Sequence, residues 1–346
     1  MLNLYILYDG WPLVHAPLSP PAVHLLEILA ALPEAVQATI ALPADPPAWL
    51  PAGLAVKIVP TADALAWEQR QLPRLAKSLG ADLIHLTRPT PSFSAASRTL
   101  ISPAGYGEQT GPPGFRTRLG AALARGGLER ARGLLWPADL PDPVAAPRTF
   151  HLTPRVPPTP PASPALADLP GDYYLFHGPP DERTVRRALQ AWTWAAGPVG
   201  DVYRLIMAGL DNRTRTLAGE LIKEYQLGET VIVLPAFSPL DLPPLYQAAT
   251  AIFHPAEASP WGGAVRHALA CGKPVVGIET LLTSALAGPA AYLAPAGDTR
   301  GLGAALISVV VKESLLAQLE TAAGERRKLW GDGDFGGELM EIYRAV

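Results

Sequence analysis

Sulfur, charge and long apolar runs are scarce in this sequence of 346 residues, and each scarcity excludes a class of protein. The single cysteine, Cys271, cannot form an internal disulfide or a cysteine-based zinc cage, which fits a reducing compartment. Charged residues make up 17% of the chain and leave a net charge of -3, so no nucleic-acid partner is expected. The sequence also lacks a Walker-type loop, a nucleophile elbow and a metal-ligand cluster, and we therefore expect no metal and no cofactor.

No apolar stretch reaches the ~18 residues that a membrane-spanning helix needs. The amino terminus enters the apolar run Leu4–Tyr8 without a basic segment or a small-residue cleavage site, so no signal peptide is expected. Five arginines among leucines and alanines in Phe115–Leu135 fit either a surface touching anionic lipid or a solvated helix face. We therefore expect a cytoplasmic protein, with peripheral contact to the inner face of the membrane as an open alternative.

Proline, in contrast, is abundant, with 39 residues, and it marks the organisation of the chain. The segment Pro154–Pro170 contains Pro-Pro-Thr-Pro-Pro, which favours an extended connector. Apolar runs of strand length alternate with helical patterns on both sides of it, as in parallel sheets covered on both faces. The sequence thus predicts an α/β chain with two Rossmann-like domains facing a cleft. We assign residues 1–153 to the first domain, 154–170 to the linker, 171–330 to the second domain, and 331–346 to a helix that can cross back to the first.

The segment from His254 to Val276 is the most informative part of the sequence. It predicts a strand, a loop that ends in Gly262-Gly263, a short helix and a second buried strand. Paired glycines allow a phosphate to approach the backbone N–H groups at the start of the helix, where the helix dipole favours an anion. Spacing alone also fits an ordinary strand–turn–helix, so this alternative stays open.

This segment resembles the C-terminal motif of glycosyltransferase family 4, whose members are retaining enzymes with the GT-B fold. The match has no gaps and includes Pro255, Trp261, Gly262, Ala268-Leu269-Ala270, Gly272, Pro274 and Val275. The N-terminal half is similar to the family's hexosyltransferases in Asp9-Gly-Trp-Pro-Leu, in Trp67-Glu-Gln69 with Leu72-Pro73, and in Gly80-Ala-Asp-Leu-Ile-His85. The resemblance implies a GT-B chain that binds a nucleotide-sugar in its second domain and a glycan or lipid-linked acceptor in its first.

Several positions depart from the family pattern. The family's two glutamates, with seven residues between them, correspond to Ser259 and His267. Serine and histidine can still hydrogen-bond sugar and ribose hydroxyls, without the charge of a carboxylate. Glu257 is either a substitute for the first glutamate or a solvated loop carboxylate. Of the family's basic pair, Arg183 is retained, either as a phosphate ligand or as a solvated arginine, and Thr184 replaces the lysine.

The resemblance therefore assigns donor binding to a defined set of residues, while the catalytic residues stay unassigned. In the first domain, Ser19 and two prolines stand where the family has a glycine-rich loop, and the family's histidine after a later strand is missing. We expect His15 and Ser19 to be the acceptor-side residues. Two functions stay open, a hexosyltransferase and a non-catalytic homologue that binds a ligand or regulates a partner. The donor-side set is Gly178, Arg183, Thr184, Glu257, Ser259, Pro260, Trp261, Gly262, Gly263 and His267.

Overall fold

The computed structural model describes residues 4–33, 36–51, 53–105, 122, 125–143, 148–155, 169–330 and 333–346. The chain divides into two compact units. The first unit contains the described residues up to Arg155 together with Gly333–Val346, and the second contains the described residues 169–330. Most of the predicted linker and part of the arginine-rich stretch Phe115–Leu135 lie outside the described residues.

The first unit is built on a parallel sheet of seven strands in the order β3-β2-β1-β4-β5-β6-β7. Its central strands are buried, which explains why they read as apolar runs without alternation. The strands are β1 (Tyr5–Asp9), β2 (Gln37–Leu42), β3 (Val56–Ile58), β4 (Leu83–Leu86), β5 (Thr99–Ile101), β6 (Gly133–Pro137) and β7 (Thr149–Leu152).

Helices of the first unit follow the strands, and the longest predicted helix is interrupted. The expected helix over Ala64–Leu79 contains a π-helical turn at Trp67–Gln71, where the Leu72 N–H donates to the Trp67 carbonyl. Pro73 has no N–H to donate at the start of the following helix, which removes one helical hydrogen bond there. The helix ends at Gly80 in the left-handed conformation, as predicted. The helices are α1 (Trp11–His15), α2 (Pro20–Ala30), α3 (Ala64–Ala66) and α4 (Leu72–Leu79).

The second unit is built on a parallel sheet of six strands in the order β10-β9-β8-β11-β12-β13. Its strands are β8 (Tyr173–His177), β9 (Arg204–Ala208), β10 (Val231–Val233), β11 (Ala251–His254), β12 (Val275–Ile278) and β13 (Ala291–Ala294). Its helices are α5 (Glu182–Val199), α6 (Asn212–Glu224), α7 (Leu242–Ala248), α8 (Gly263–Ala270), α9 (Leu281–Ala287), α10 (Thr299–Val311) and α11 (Glu313–Lys328). Tyr174, Phe176, Trp192 and Phe253 belong to the core that the sheet shares with α5 and α10.

Both sheets begin with a strand near their centre, build outward in one direction and then continue on the other side of the first strand. The helices after the two neighbouring strands therefore leave in opposite directions, and a crevice forms beyond the strand ends. This reversal lies between β1 and β4 in the first unit and between β8 and β11 in the second. The predicted fold class, two Rossmann-like parallel-sheet units, is confirmed.

No single helix of the described residues is both long and apolar enough to cross a membrane. Helices α10 and α11, which are bent by 94° at their junction, pass this test only as a pair and only by length and composition.

The last helix, α12 (Phe335–Ala345), belongs to the first unit through a buried polar cluster. The Tyr343 hydroxyl lies 2.6 Å from His85 Nδ1 and 2.8 Å from the Tyr8 hydroxyl. His85 Nε2 lies 2.9 Å from the Ser102 hydroxyl, so β1, β4 and the residue that follows β5 contribute to the cluster. Burial lowers the pKa of His85 to about 3, with a smaller contribution from His24, so the ring is neutral at pH 7.

We predict that Tyr343→Phe lowers the free energy of unfolding by about 1–3 kcal/mol, because it leaves buried polar atoms of Tyr8 and His85 without a partner. Urea denaturation measures the change. Tyr292→Phe, at an exposed position on β13, is the control and should match the wild type. Equal stability of Tyr343→Phe and wild type would show that the cluster does not hold the helix.

Candidate functional site

The carboxyl ends of β8 and β11 are neighbours where the second sheet reverses its strand order. Gly178 follows β8 with a φ of 59°, and Pro255 follows β11. His254, the fully buried last residue of β11, has its Nε2 3.0 Å from the Glu257 carbonyl oxygen and is also hydrogen-bonded by the Gly178 backbone. One ring thus connects the two loops, while the Glu257 side chain is exposed.

Helix α5 begins directly beyond Gly178 with a side-chain cap. The Asp181 carboxylate accepts a hydrogen bond from the Thr184 N–H at 2.9 Å. Thr184, at the position of the family's lysine, is 4% exposed and has no positive charge with which to bind a phosphate. Arg183 is exposed on the first turn of the helix.

Arg187, one turn further along α5, was not predicted as a site residue. Its Nη1 donates to the Pro255 carbonyl oxygen at 2.7 Å, so this guanidinium connects α5 with the loop after β11. Burial lowers the pKa of Arg187, the positive charge of Arg183 lowers it further, and Asp181 opposes both effects. The spacing of four residues between the two arginines puts them on one helix face, and this is the signal that could have identified Arg187.

The loop between β11 and α8 is held by hydrogen bonds to its own carbonyl groups. The Ser259 hydroxyl donates to the Trp261 carbonyl oxygen at 2.6 Å, so it can only accept a hydrogen bond from a ligand. The buried Arg266 donates from Nε to the Pro260 carbonyl. Its guanidinium lies over the Trp261 and Trp330 rings, at 5.7 and 5.2 Å from their centroids. Arg266, also not predicted as a site residue, therefore fixes the backbone just before the glycine pair.

Gly262 and Gly263 have φ values of 57° and 77°, a conformation that side-chain-bearing residues rarely adopt. His267 Nδ1 lies 2.7 Å from the Gly263 carbonyl oxygen, so Nδ1 carries the proton and Nε2 is the acceptor in the neutral ring. The His267 ring is 5.2 Å from the Tyr246 ring, and the Tyr246 hydroxyl lies 2.7 Å from His177 Nδ1 at the end of β8. Tyr246 thus connects helix α8 with the end of β8.

The corresponding edge of the first unit contains a charged network. Asp9 is 1% exposed and accepts hydrogen bonds from the Trp11 N–H at 3.0 Å, Trp67 Nε1 at 2.8 Å and Arg88 Nη2 at 2.7 Å. Arg88 Nη1 also donates to Glu68 Oε1 at 2.7 Å. Burial raises the pKa of Glu68, although Arg88 opposes this shift. Tryptophan and glutamate of the Trp67-Glu-Gln69 motif thus organise this edge.

The two acceptor-side residues of the sequence analysis lie between β1 and α2. His15 is exposed at the end of α1, and its ring packs on Trp11 with 4.0 Å between centroids. Its pKa is lowered, mainly by burial and further by Arg88, which favours the neutral ring. Ser19 precedes α2, but its hydroxyl donates to the Ala16 carbonyl at 2.6 Å and does not cap the helix.

Comparisons with known proteins agree with an architecture of two parallel sheets. Residues 182–326 match the sequence profile of the family described as glycosyl transferases group 1, so the predicted resemblance is confirmed for this part of the chain at the level of group 1 glycosyltransferases. The fold is GT-B. No curated protein sequence matches the chain.

The GT-B neighbours among solved structures cover both units. Sucrose-phosphate synthase from Thermosynechococcus elongatus is 16% identical, with a TM-score of 0.70 and coverage of 99% of each chain. Anabaena HepE, solved with UDP and glucose, is 14% identical, with a TM-score of 0.71 and coverage of 99% of this chain and 100% of its own. WaaG, a glycosyltransferase of lipopolysaccharide biosynthesis, is 15% identical, with a TM-score of 0.70 and coverage of 100% and 99%.

We predict that the stability of the chain decreases as the pH falls from 6.5 to 4. Burial lowers the pKa of His254 to about 4, so the unfolded chain takes up this proton before the folded one does. The shift corresponds to about 3 kcal/mol of stability that is present above pH 6.5 and lost across this window. Urea denaturation at several pH values measures the decrease.

His254→Gln keeps a donor for the Glu257 carbonyl and should make this decrease smaller, with the remainder continuing at lower pH through His85. His151→Gln, at an exposed position on β7, is the control and should retain the wild-type decrease. An unaltered pH dependence in His254→Gln would contradict the assignment.

Proposed function

We propose that the chain is a degenerate member of glycosyltransferase family 4, which transfers a hexose from a nucleotide-sugar to a glycan or lipid-linked acceptor with retention of configuration. The donor diphosphate binds at the strand reversal of the second unit. The observation that carries the proposal is the pair Arg183 and Arg187 on α5, of which Arg187 contacts the loop that leads to Gly262-Gly263. A cytoplasmic location, close to nucleotide-sugar pools, is part of this proposal.

In this site, two kinds of group act on the phosphates. The two guanidinium groups neutralise the charge that develops on the leaving diphosphate. Arg187 supplies the second positive charge, which comes in the family from a lysine at the position of Thr184. Backbone N–H groups at the start of α8 donate to phosphate oxygens, which the glycine pair leaves accessible. HepE, solved in complex with UDP and with UDP-glucose, is a neighbour with the same fold, which supports a nucleoside diphosphate as the first ligand to test.

Recognition of the sugar and ribose relies on two uncharged side chains and one loop carboxylate. His267 Nε2 is positioned as an acceptor for a ribose hydroxyl, because Nδ1 is committed to the Gly263 carbonyl. Ser259 accepts from a sugar hydroxyl, and the exposed Glu257 is available to the same hydroxyls. The acceptor binds the first unit next to His15, Ser19 and the Asp9–Arg88 network, where the neutral His15 ring can hydrogen-bond an acceptor hydroxyl.

A second function, a non-catalytic homologue that binds a ligand or regulates a partner, is favoured by one observation. Ser259 and His267 occupy the positions of the family's glutamates, and each donates its proton to a backbone carbonyl of the same loop. Both side chains thus stabilise the loop itself, which is what a binding protein without turnover would retain.

We predict that UDP or GDP binds the wild-type chain and that Arg183→Gln and Arg187→Gln each weaken binding by about tenfold, since each removes a charge-assisted hydrogen bond to phosphate. Isothermal titration calorimetry measures the affinities. Arg186→Gln is the matched control, because Arg186 is an exposed arginine on the same helix, and its affinity should equal that of the wild type. Equal affinities for Arg187→Gln and wild type would contradict the proposed diphosphate site.

The same protein distinguishes the two functions. Release of nucleoside diphosphate from UDP-glucose or GDP-mannose, with product formation that Arg187→Gln lowers and Arg186→Gln does not, supports the transferase. Proton NMR of the product then reports whether the anomeric configuration is retained. Binding without release, across both donors and with glycan and lipid-linked acceptors, supports the non-catalytic homologue.

A further inference from the structure

A second cationic site lies within the first unit, in a pocket between helix α4 and the segment that precedes β5. The pocket has a volume of about 520 Å³, within the range of small-molecule sites. Arg70, Arg74 and Lys77 line it from the helical side, and Arg98 lines it from the other segment. Neither the donor site nor the acceptor edge explains why four cations surround one cavity.

Within the part of the chain that the structure describes, no acidic side chain compensates the charges of these four residues. None of the four has an ion pair or a side-chain hydrogen bond within the described residues. The two stretches that supply most of the lining, residues 69–77 and 94–98, contain no aspartate or glutamate. Two acids that flank the first stretch are engaged, because Glu68 binds Arg88 and Asp82 accepts from the Tyr5 N–H. The pocket is therefore positive in a chain whose net charge is -3.

The spacing of the cations adds a physical argument for a ligand. Arg70 and Arg74 are four residues apart and Lys77 follows after three, so like charges lie on one face of the helical segment. Like charges at this spacing destabilise an isolated helix by roughly 0.2–0.5 kcal/mol per pair. An anion in the pocket would remove this repulsion. Local arrangements that oppose stability are expected mainly at functional sites.

Neutral donors in the pocket indicate which anion fits. Ser94 and Ser97 line the cavity beside the cations, and their hydroxyl groups can add neutral hydrogen bonds to phosphate oxygens beside the stronger bonds from the guanidinium groups. Gln69 fixes one end of the pocket, because its Oε1 accepts from the Phe93 N–H at 3.1 Å and thereby holds the π-helical turn to the opposite segment. Arginine forks bind the tetrahedral phosphate bidentately, and the closely spaced cations suit two adjacent phosphates.

We propose that this pocket binds a ligand through a diphosphate or a comparable phosphorylated group. The site is separate from the proposed donor site, because its four cations lie in the first unit, while Arg183 and Arg187 lie in the second. The phosphorylated group belongs either to a free small molecule or to a lipid headgroup, and the experiment below distinguishes these sources.

Inorganic pyrophosphate is the probe, and calorimetry measures its binding. All proteins carry Arg183→Gln and Arg187→Gln, so that pyrophosphate binding at the proposed donor site does not contribute to the measured heat. We expect one pyrophosphate per chain in this background. The further triple substitution Arg70→Gln, Arg74→Gln and Lys77→Gln should weaken binding by at least about tenfold, with a steep salt dependence in the parent protein.

The matched control changes three other exposed cations that lie outside the pocket and outside Phe115–Leu135, as Lys57→Gln, Lys223→Gln and Arg344→Gln, and removes the same total charge. Its pyrophosphate affinity should remain that of the parent. An equal loss of pyrophosphate affinity in both triple variants would show that overall charge, not the pocket, causes the effect, and would overturn the proposal. Absence of pyrophosphate binding by the parent, or unchanged binding by the pocket variant, would overturn it as well. Circular dichroism verifies that each variant is folded.

Flotation with vesicles identifies the source of the phosphate. Vesicles of phosphatidylglycerol in phosphatidylcholine are compared with phosphatidylcholine alone. If the anionic vesicles bind the parent and the control but not the pocket variant, the site takes a lipid headgroup. If the pocket substitutions weaken pyrophosphate binding but leave vesicle binding unchanged, the site binds a free phosphorylated molecule.

Discussion

Strand order is the constraint on which the rest of this chain depends. In each parallel sheet the first strand lies inside, and the connections on its two sides diverge. Backbone groups at these two strand ends are therefore left for loops and side chains to satisfy. His254 does so in the second unit, where its ring joins the backbone at Gly178 and Glu257. Asp9 does so in the first unit, where it accepts from the Trp11 N–H at 3.0 Å and forms an ion pair with Arg88 at 2.7 Å.

The two strand edges satisfy buried polar groups in different ways, and the difference affects which ligands they can accept. In the first unit, Arg88 is compensated by two carboxylates, Asp9 and Glu68, so the network has no positive charge in excess. In the second unit, the loops are connected by neutral histidine and serine hydrogen bonds, while Arg183 and Arg187 repel each other. An anion is thus favoured at the second edge, and an uncharged hydroxyl group is better suited to the first.

Much of the fold could be predicted from sequence because buried parallel strands appear as apolar runs, such as Tyr173–His177. The π-helical turn at Trp67–Gln71 could not, since it depends on how Pro73 is accommodated within one helical pattern. Arg266 was missed because arginine is rarely buried, and its environment requires Trp330, far away in the sequence. Arg187 was missed because family motifs assign the cation to a fixed position, whereas geometry allows the next turn of the same helix to supply it.

The two residues at the positions of the family's glutamates, Ser259 and His267, affect two properties of the proposed donor site in opposite directions. Ser259 and His267 remove two negative charges from a loop that borders cations, and Glu257 is the one carboxylate within Pro255–Gly263. Removing acids from this loop makes the local potential more positive, which favours the diphosphate of a donor. The same change weakens recognition of sugar hydroxyls, because charged acceptors form stronger hydrogen bonds than neutral ones. Under the proposed function, affinity for a nucleoside diphosphate and turnover of its sugar are therefore separable properties of the proposed donor site.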